Sequence, residues 1–404
     1  MNILKISSKN LVRNKLTTIL NVVLVAFGVG ILSVLFLAST QINNKLENNA
    51  KDIDLVVGAK GSPLQLILSS VYHIDNPTGN IPAKDAYQLM HNPMVKRAVP
   101  LALGDNYNGY RIVGTDSTFT NLYGLSIQKG SFWHKDLEVT LGSNVALTSG
   151  LKIGDTFFGA HGLTGSGDVH KQYAYQVKGI LKPQGNITDN LILTNIGSVY
   201  KMHEEKHAEN HNHATAEEAK EINDKQITAL LIQYKSPMSV IVFPRMVNQS
   251  TNMQAASPAM ESARLFSLIG VGIDTLRWFA IFIMGVAALS IFISLYNAMK
   301  ERKYDLAIMR CLGASKFKLF FLVIFEGVLV TFIGTCLGLL IGHAAIEVIG
   351  IYQETSQAKL TGLTAFPQEI YLIWIGLIIG ALASLIPAMQ IYKVDIAATL
   401  TKDR

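Results

Sequence analysis

Four segments of this chain are long and apolar enough to cross a bilayer, whose hydrocarbon core takes about 20 residues of helix. They run over Leu16–Asn44, Trp278–Met299, Leu319–Ile346 and Ile370–Tyr392, and Glu326 is the one charged side chain inside them. A soluble core can hide one such helix, but four with charged borders demand a membrane. The chain therefore reads as a membrane protein of four transmembrane helices. The first segment has Lys5, Lys9, Arg13 and Lys15 ahead of it and Ala38-Ser39-Thr40 as a passable cleavage site, as a signal peptide would. Its apolar stretch is too long for one, so an uncleaved anchor is expected.

Basic residues in the short connections orient the helices. Residues 1–15 carry only basic charge, residues 300–318 are mostly basic, and Lys393, Lys402 and Arg404 mark the tail, whereas residues 347–369 hold Lys359 alone. The expected order is a cytoplasmic segment 1–15, a span over 16–44, an extracytoplasmic domain over 45–270 and a second span over 271–299. A cytoplasmic loop 300–318, a span 319–346, an outer loop 347–369, a span 370–392 and a cytoplasmic tail 393–404 follow. The formal net charge of +6 is mostly this topological signal and needs no nucleic acid to explain it. Cys311 and Cys336 both lie outside 45–270, so the outer domain must be stable through its own core rather than through disulfides.

That domain changes character to short alternating segments separated by Gly, Asn, Asp and Pro. Strands are expected near Tyr110–Gly114, Val139–Leu141, Tyr173–Leu181, Asp189–Thr194 and Ile227–Tyr234, which makes it a large mixed α+β domain between the first and second helices. Gly58-Ala-Lys-Gly-Ser62 lacks the spacing of a phosphate-binding loop and reads as a turn leading into a helix. His203, His207, His211 and His213 recur every two to four residues; on a helix His203 and His207 would share a face and suit zinc. The surrounding Glu, Lys, Asn and Ala equally describe a solvated loop with no metal function.

Small residues line two spans, with Gly334, Gly338 and Gly342 in the third and Gly376, Gly380 and Ser384 in the fourth. That spacing lets helix backbones approach closely, within the bundle or at a dimer seam. Glu326 lies about two turns from Lys318 and reads as the partner of a structural hydrogen bond. His343, near the outer end, reads as a packed interfacial residue. Pro258–Asp274 reads as a helix running on into the second span, either to transmit tilt or as a plain interfacial anchor.

Between the second and third spans, Lys300-Glu-Arg-Lys-Tyr-Asp-Leu-Ala-Ile-Met-Arg-Cys-Leu-Gly-Ala-Ser315 forms a basic amphipathic stretch. Leu306, Met309 and Leu312 are expected near one face, with Arg302, Lys303 and Arg310 more exposed. Gly313 suits a left-handed cap, and Ser315 can cap the next helix. The order of these residues resembles the E-R-x-x-E-I-A-I-L-R-A-L-G-A-S motif of FtsX-like and MacB-like ABC-transporter permeases, with Asp305, Met309 and Cys311 as departures. Ser8-Lys-Asn-Leu-Val-Arg-Asn-Lys-Leu-Thr-Thr18 is similar to the family's N-terminal segment. Leu141-Gly-Ser-Asn-Val-Ala146, Leu151-Lys-Ile-Gly-Asp-Thr156 and Tyr175-Gln-Val-Lys-Gly-Ile-Leu181 look like its extracytoplasmic core. Phe325-Glu-Gly327 resembles part of its third span. Pro387 to Leu400 resembles its tail, with Ile396 where proline is usual.

The resemblance implies a mechanotransmission-type permease in a bacterial inner membrane, a homodimer or paired permease, and separate ATPase subunits that bind ATP and magnesium. This chain has no Walker A sequence and is expected to be no enzyme and to bind no cofactor, zinc in the histidine tract excepted. Glu301, Arg302, Lys303, Asp305, Arg310 and Gly313 would form the ATPase-docking surface. Two functions fit: a permease that extracts or exports an amphiphile, lipoprotein or peptide, or a signalling scaffold acting on a periplasmic enzyme or metal-responsive partner. Stretches 57–65 and 77–80 look like a branch of the family associated with zinc-responsive genes; a periplasmic or outer-membrane partner is compatible with either function.

Overall fold

The computed structural model describes residues 3–162, 169–209, 225–352 and 360–393. It divides into two compact units, one formed chiefly by residues 43–268 and the other by the segments that flank them.

Among the described residues, four helices are long and apolar enough to cross a membrane, within Lys15–Asn49, Pro258–Glu301, Lys316–Tyr352 and Pro367–Tyr392. Two short helices, Ile3–Arg13 and Lys303–Cys311, accompany them. The third span presents two faces with different partners. A Cβ on Gly338 would lie 2.7 Å from the Ala26 carbonyl oxygen, and one on Gly334 would meet Val25, so that glycine face seats the first span. A Cβ on Gly327 would lie 2.9 Å from the Gly380 carbonyl oxygen, and one on Gly376 would run into Thr335, so the other face seats the fourth span. In lipid such contact rests on close packing and not on expulsion of water. Val25, Met284, Ala287, Ile291, Leu322 and Val330 fill the space between the helices.

At one end of the helical unit the connection between the third and fourth spans is tied down by side chains from three helices. Gln41 pairs with the Thr361 backbone in both directions, at 2.7 and 3.0 Å. Glu347 accepts from the Thr361 hydroxyl and the Gly362 N–H, at 2.9 and 2.8 Å. His343 Nδ1 faces the Gly362 carbonyl at 2.6 Å and Nε2 faces Glu369 at 2.8 Å. His343 is thus a packed residue with two partners.

The other unit is built on a ten-stranded mixed sheet. Its strands are β1 (Leu55–Ala59), β3 (Val95–Tyr107), β4 (Tyr110–Thr115), β5 (Ile127–Gly130), β6 (Glu138–Leu141), β7 (Thr156–His161), β8 (Val169–Leu181), β9 (Leu191–Asn195), β11 (Ala229–Tyr234) and β12 (Met253–Ala256). The order is β12-β1-β11-β3-β4-β9-β6-β8-β5, with β7 paired to β3 and β8; β2 (Ile81–Pro82) and β10 (Gln226–Ile227) make a separate ribbon. Alternate side chains of β1, β3, β4, β9 and β11 meet Leu66, Phe119 and Trp133 in one core, and Phe243 anchors a second. Gly58 lies within β1, not in a turn, and a Cβ there would strike Leu66 of the following helix Pro63–Ser70.

Polar side chains are buried in this unit as well. Arg111 on β4 is enclosed, donating from Nη2 to the Asp75 carbonyl, and burial pulls its guanidinium down to about 10 against the opposing pull of Asp75. His73 is fully buried with φ +53°, and neither ring nitrogen has a hydrogen-bond partner among the described residues. Burial first, then the Arg111 charge, hold its imidazole down to about 3. Tyr72, one residue earlier, shares a hydrogen bond with Ser262 at 2.7 Å and donates to the Leu46 carbonyl at 3.4 Å. Asn49 Oδ1 accepts the Ile187 N–H at 2.8 Å, while its carbonyl accepts the Tyr123 hydroxyl at 3.1 Å.

Candidate functional site: the linking helix and its buried ion pair

The helix that contains the second span stops at Glu301, and Arg302 adopts non-helical angles before the chain turns into Lys303–Cys311. Gly313, at φ +93°, ends this linking helix. The Ala314 N–H bonds the Met309 carbonyl and the Gly313 N–H bonds the Arg310 carbonyl, at 3.0 Å each, the paired pattern of a Schellman cap. Ser315 Oγ then accepts the Lys318 N–H at 3.3 Å and starts the third span. The capping chemistry thus sets a short helix across the ends of two long ones.

Its two faces differ from the sequence expectation in two residues. Leu306 and Ala307 are buried and Met309 packs against the same core. Leu312, expected beside them, is 82% exposed and continues a stripe with Tyr304 and Ile308, exposed by 44% and 38%. Four-residue spacing puts these three on one side of the helix. Arg302, expected to be exposed, is turned inward instead, with its side chain 11% exposed. The expectation erred there because a basic residue at a helix break was read as solvated while its partner sat 24 positions away. Glu301, Lys303 and Asp305 are exposed, Arg310 is half-buried, and Asp305 pairs with Arg13 at 3.7 Å across solvent-accessible space.

Arg302 Nη1 reaches both carboxylate oxygens of Glu326, at 3.3 and 3.5 Å. Its Nη2 donates to the Asn10 carbonyl at 3.3 Å, and the Asn10 side-chain amide donates to Glu326 Oε1. The network closes on itself across the N-terminal helix, the linking turn and the third span. Glu326 is 4% exposed, so its charge is partnered rather than solvated. Beside it lies a cavity of about 50 Å³, lined among others by Ile6, Leu295, Asp305, Met309 and Leu322.

The remaining expected site residues lie elsewhere. Gly334, Gly338, Gly342, Gly376 and Gly380 are at the helix seams described above. His203 and His207 fall on the helix Ile196–Glu209, while His211 and His213 lie outside the described residues. Among the described residues no group of three or more His, Cys, Asp or Glu is placed to hold a metal ion.

The MacB-like periplasmic core domain matches residues 18–242, more than half of the chain, and the FtsX-like permease C-terminal domain matches residues 277–396, with the linking helix inside it. The chain belongs to the FtsX-like and MacB-like ABC-transporter permeases. This permease is similar to a lipoprotein-releasing system transmembrane protein LolC of Haemophilus influenzae, 29% identical over 123 residues that make up 29% of this chain and 31% of that one. It thus spans under a third of that relative's length. The crystal structure of the periplasmic region of MacB from Actinobacillus actinomycetemcomitans overlaps 55% of the permease and 97% of its own chain, at 11% identity and a TM-score of 0.32. The permease is a multi-pass membrane protein with a periplasmic-type core domain between its first and second spans, and family members work with separate ABC ATPase subunits.

Proposed function

We propose that this permease receives the movement of separate ATPase subunits at its linking helix and passes it to its periplasmic core domain, to extract or export an amphiphile, lipoprotein or peptide. The observation that carries the reading is the stripe of Tyr304, Ile308 and Leu312, left exposed on a helix whose other face is packed. Lys303, Lys316 and Lys318 flank it together with Glu301 and Asp305, so the surface offers an apolar centre with a charged rim. Such a centre of aromatic and aliphatic anchors, rimmed by charge, is what protein–protein contact uses. Docking would involve Glu301, Lys303, Asp305, Arg310 and the Gly313 cap around that stripe, while Arg302 serves behind it. The basic N-terminal segment, loop and tail support both termini and this helix on the cytoplasmic side of a bacterial inner membrane.

The name of the Haemophilus relative favours lipid-modified cargo. Catalysis would reside in the ATPase, with its ATP and magnesium, and the permease would work as a homodimer or paired permease. The test is co-purification of the permease with an ATPase from its own cell. Ile308→Asp with Leu312→Asp should abolish co-purification and stimulated ATP hydrolysis while the permease still folds. Retention of the ATPase by that variant would overturn the reading.

A further inference from the structure

The Arg302–Glu326–Asn10 network carries a role beyond holding the fold. A buried ion pair is a poor stabiliser, because removing two charges from water costs about as much as their attraction returns, and apolar replacements are often neutral or better. Here apolar residues are close at hand, since Leu295, Met299, Leu306, Leu322 and Val323 line the same cavity as the pair. What an ion pair supplies and a leucine contact does not is direction. Arg302 Nη1 meets the carboxylate while Nη2 meets the Asn10 carbonyl, and the Asn10 amide returns to the carboxylate, so a pull on any one of the three segments is felt by the other two through directed hydrogen bonds.

The position of the pair gives that pull a purpose. Arg302 is the single non-helical residue between the second-span helix and the linking helix, so any displacement of the linking helix pivots there. Glu326 sits on the third span, which is seated on both the first and the fourth spans through its glycine faces. The neighbouring cavity of about 50 Å³ leaves room for side chains at the pivot to change rotamer without opening the core.

We infer that Glu326 is a positioning residue that yokes the linking helix, the N-terminal helix and the third span, so that displacement of the first is delivered to the other two. This inference rests on the docking reading for the source of the displacement, but the yoke itself is a property of the permease alone. Two measurements separate them. In the first, the full-length permease in lipid nanodiscs, without ATPase, is followed by amide hydrogen exchange. Glu326→Gln retains the Asn10 contact and removes the charge; it should raise exchange about tenfold in both 3–13 and 303–311, as loss of a charged hydrogen bond allows. Exchange that rises in only one segment, or in neither, overturns the yoke.

In the second, the complex with its co-purifying ATPase carries two spin labels on genetically encoded ketone residues at positions 147 and 363, exposed sites of the sheet unit and of the helical unit. Glu326→Gln should hydrolyse ATP within about twofold of the parent while losing most of the ATP-driven change in label distance. Exchanging the charges, Arg302→Glu with Glu326→Arg, should restore that change, which a merely structural role does not predict. A Glu326→Gln complex with the parent's full distance change overturns the inference. Absence of any ATPase with the parent permease overturns the docking reading, and the exchange measurement still decides the yoke.

Discussion

Acid should weaken the sheet unit through His73. Its imidazole, fully buried beside Arg111, is held down to about 3 against an ordinary value of 6.5. The folded protein therefore keeps it neutral, and only the unfolded chain takes up the proton as pH falls through 6.5. The contribution to stability is whole above 6.5 and declines with pH until about 3. Between pH 7.5 and 5.0 the linkage relation gives a loss of about 2 kcal/mol. Urea unfolding of the full chain in detergent can read it from Trp133, which lies in the sheet core, once Trp278 and Trp374 are replaced by phenylalanine. The comparison is His73→Asn, since asparagine accepts a positive φ and does not titrate in this range. The parent should lose about 2 kcal/mol more than the variant over that interval. Equal losses in the two proteins would refute the argument, because all other titrating groups are shared.

Asn49→Ala strands the buried Ile187 N–H and should cost about 1–3 kcal/mol in the same unfolding experiment at neutral pH. Gly380→Leu forces a side chain against Thr331 and the Gly327 backbone, and should lower the stability of the helical unit by about 1–3 kcal/mol in detergent thermal unfolding. His343→Ala releases two contacts of the 360–369 connection and should speed its proteolysis in nanodiscs without altering cleavage in the sheet unit. Leu312→Ala alone should weaken ATPase binding about tenfold, read by titration in nanodiscs.

The apolar spans were legible because lipid imposes one requirement on every residue of a span, and a run such as Leu319–Ile346 meets it without reference to the rest of the chain. The five strands expected from alternation are present at Tyr110, Val139, Tyr173, Leu191 and Ala229. β3 escaped notice because Pro100 and Gly104-Asp105-Asn106 interrupt it. The proline sits opposite Leu230, and the register shifts between Leu103 and Asn106, so pairing on both flanks overrides a poor local pattern. β1 was masked in the same way, its Gly58 reading as a turn when the glycine is there to admit Leu66. In the linking helix the amphipathic character was visible but the assignment of faces was not. Arg302 turns inward only because Glu326 and Asn10 meet it, and no local periodicity encodes a partner 24 or 292 residues away.

Tyr72 ties together the two ends of the sheet unit. Its hydroxyl meets the Leu46 carbonyl and the Ser262 hydroxyl, so the segments by which that unit begins and closes share one phenol. Asn49 fastens the first of these segments again, through the Ile187 N–H and the Tyr123 hydroxyl. Fraying that starts at either end must break a contact held by the other. The two margins of the unit are therefore expected to open as one, like a cuff with a single button.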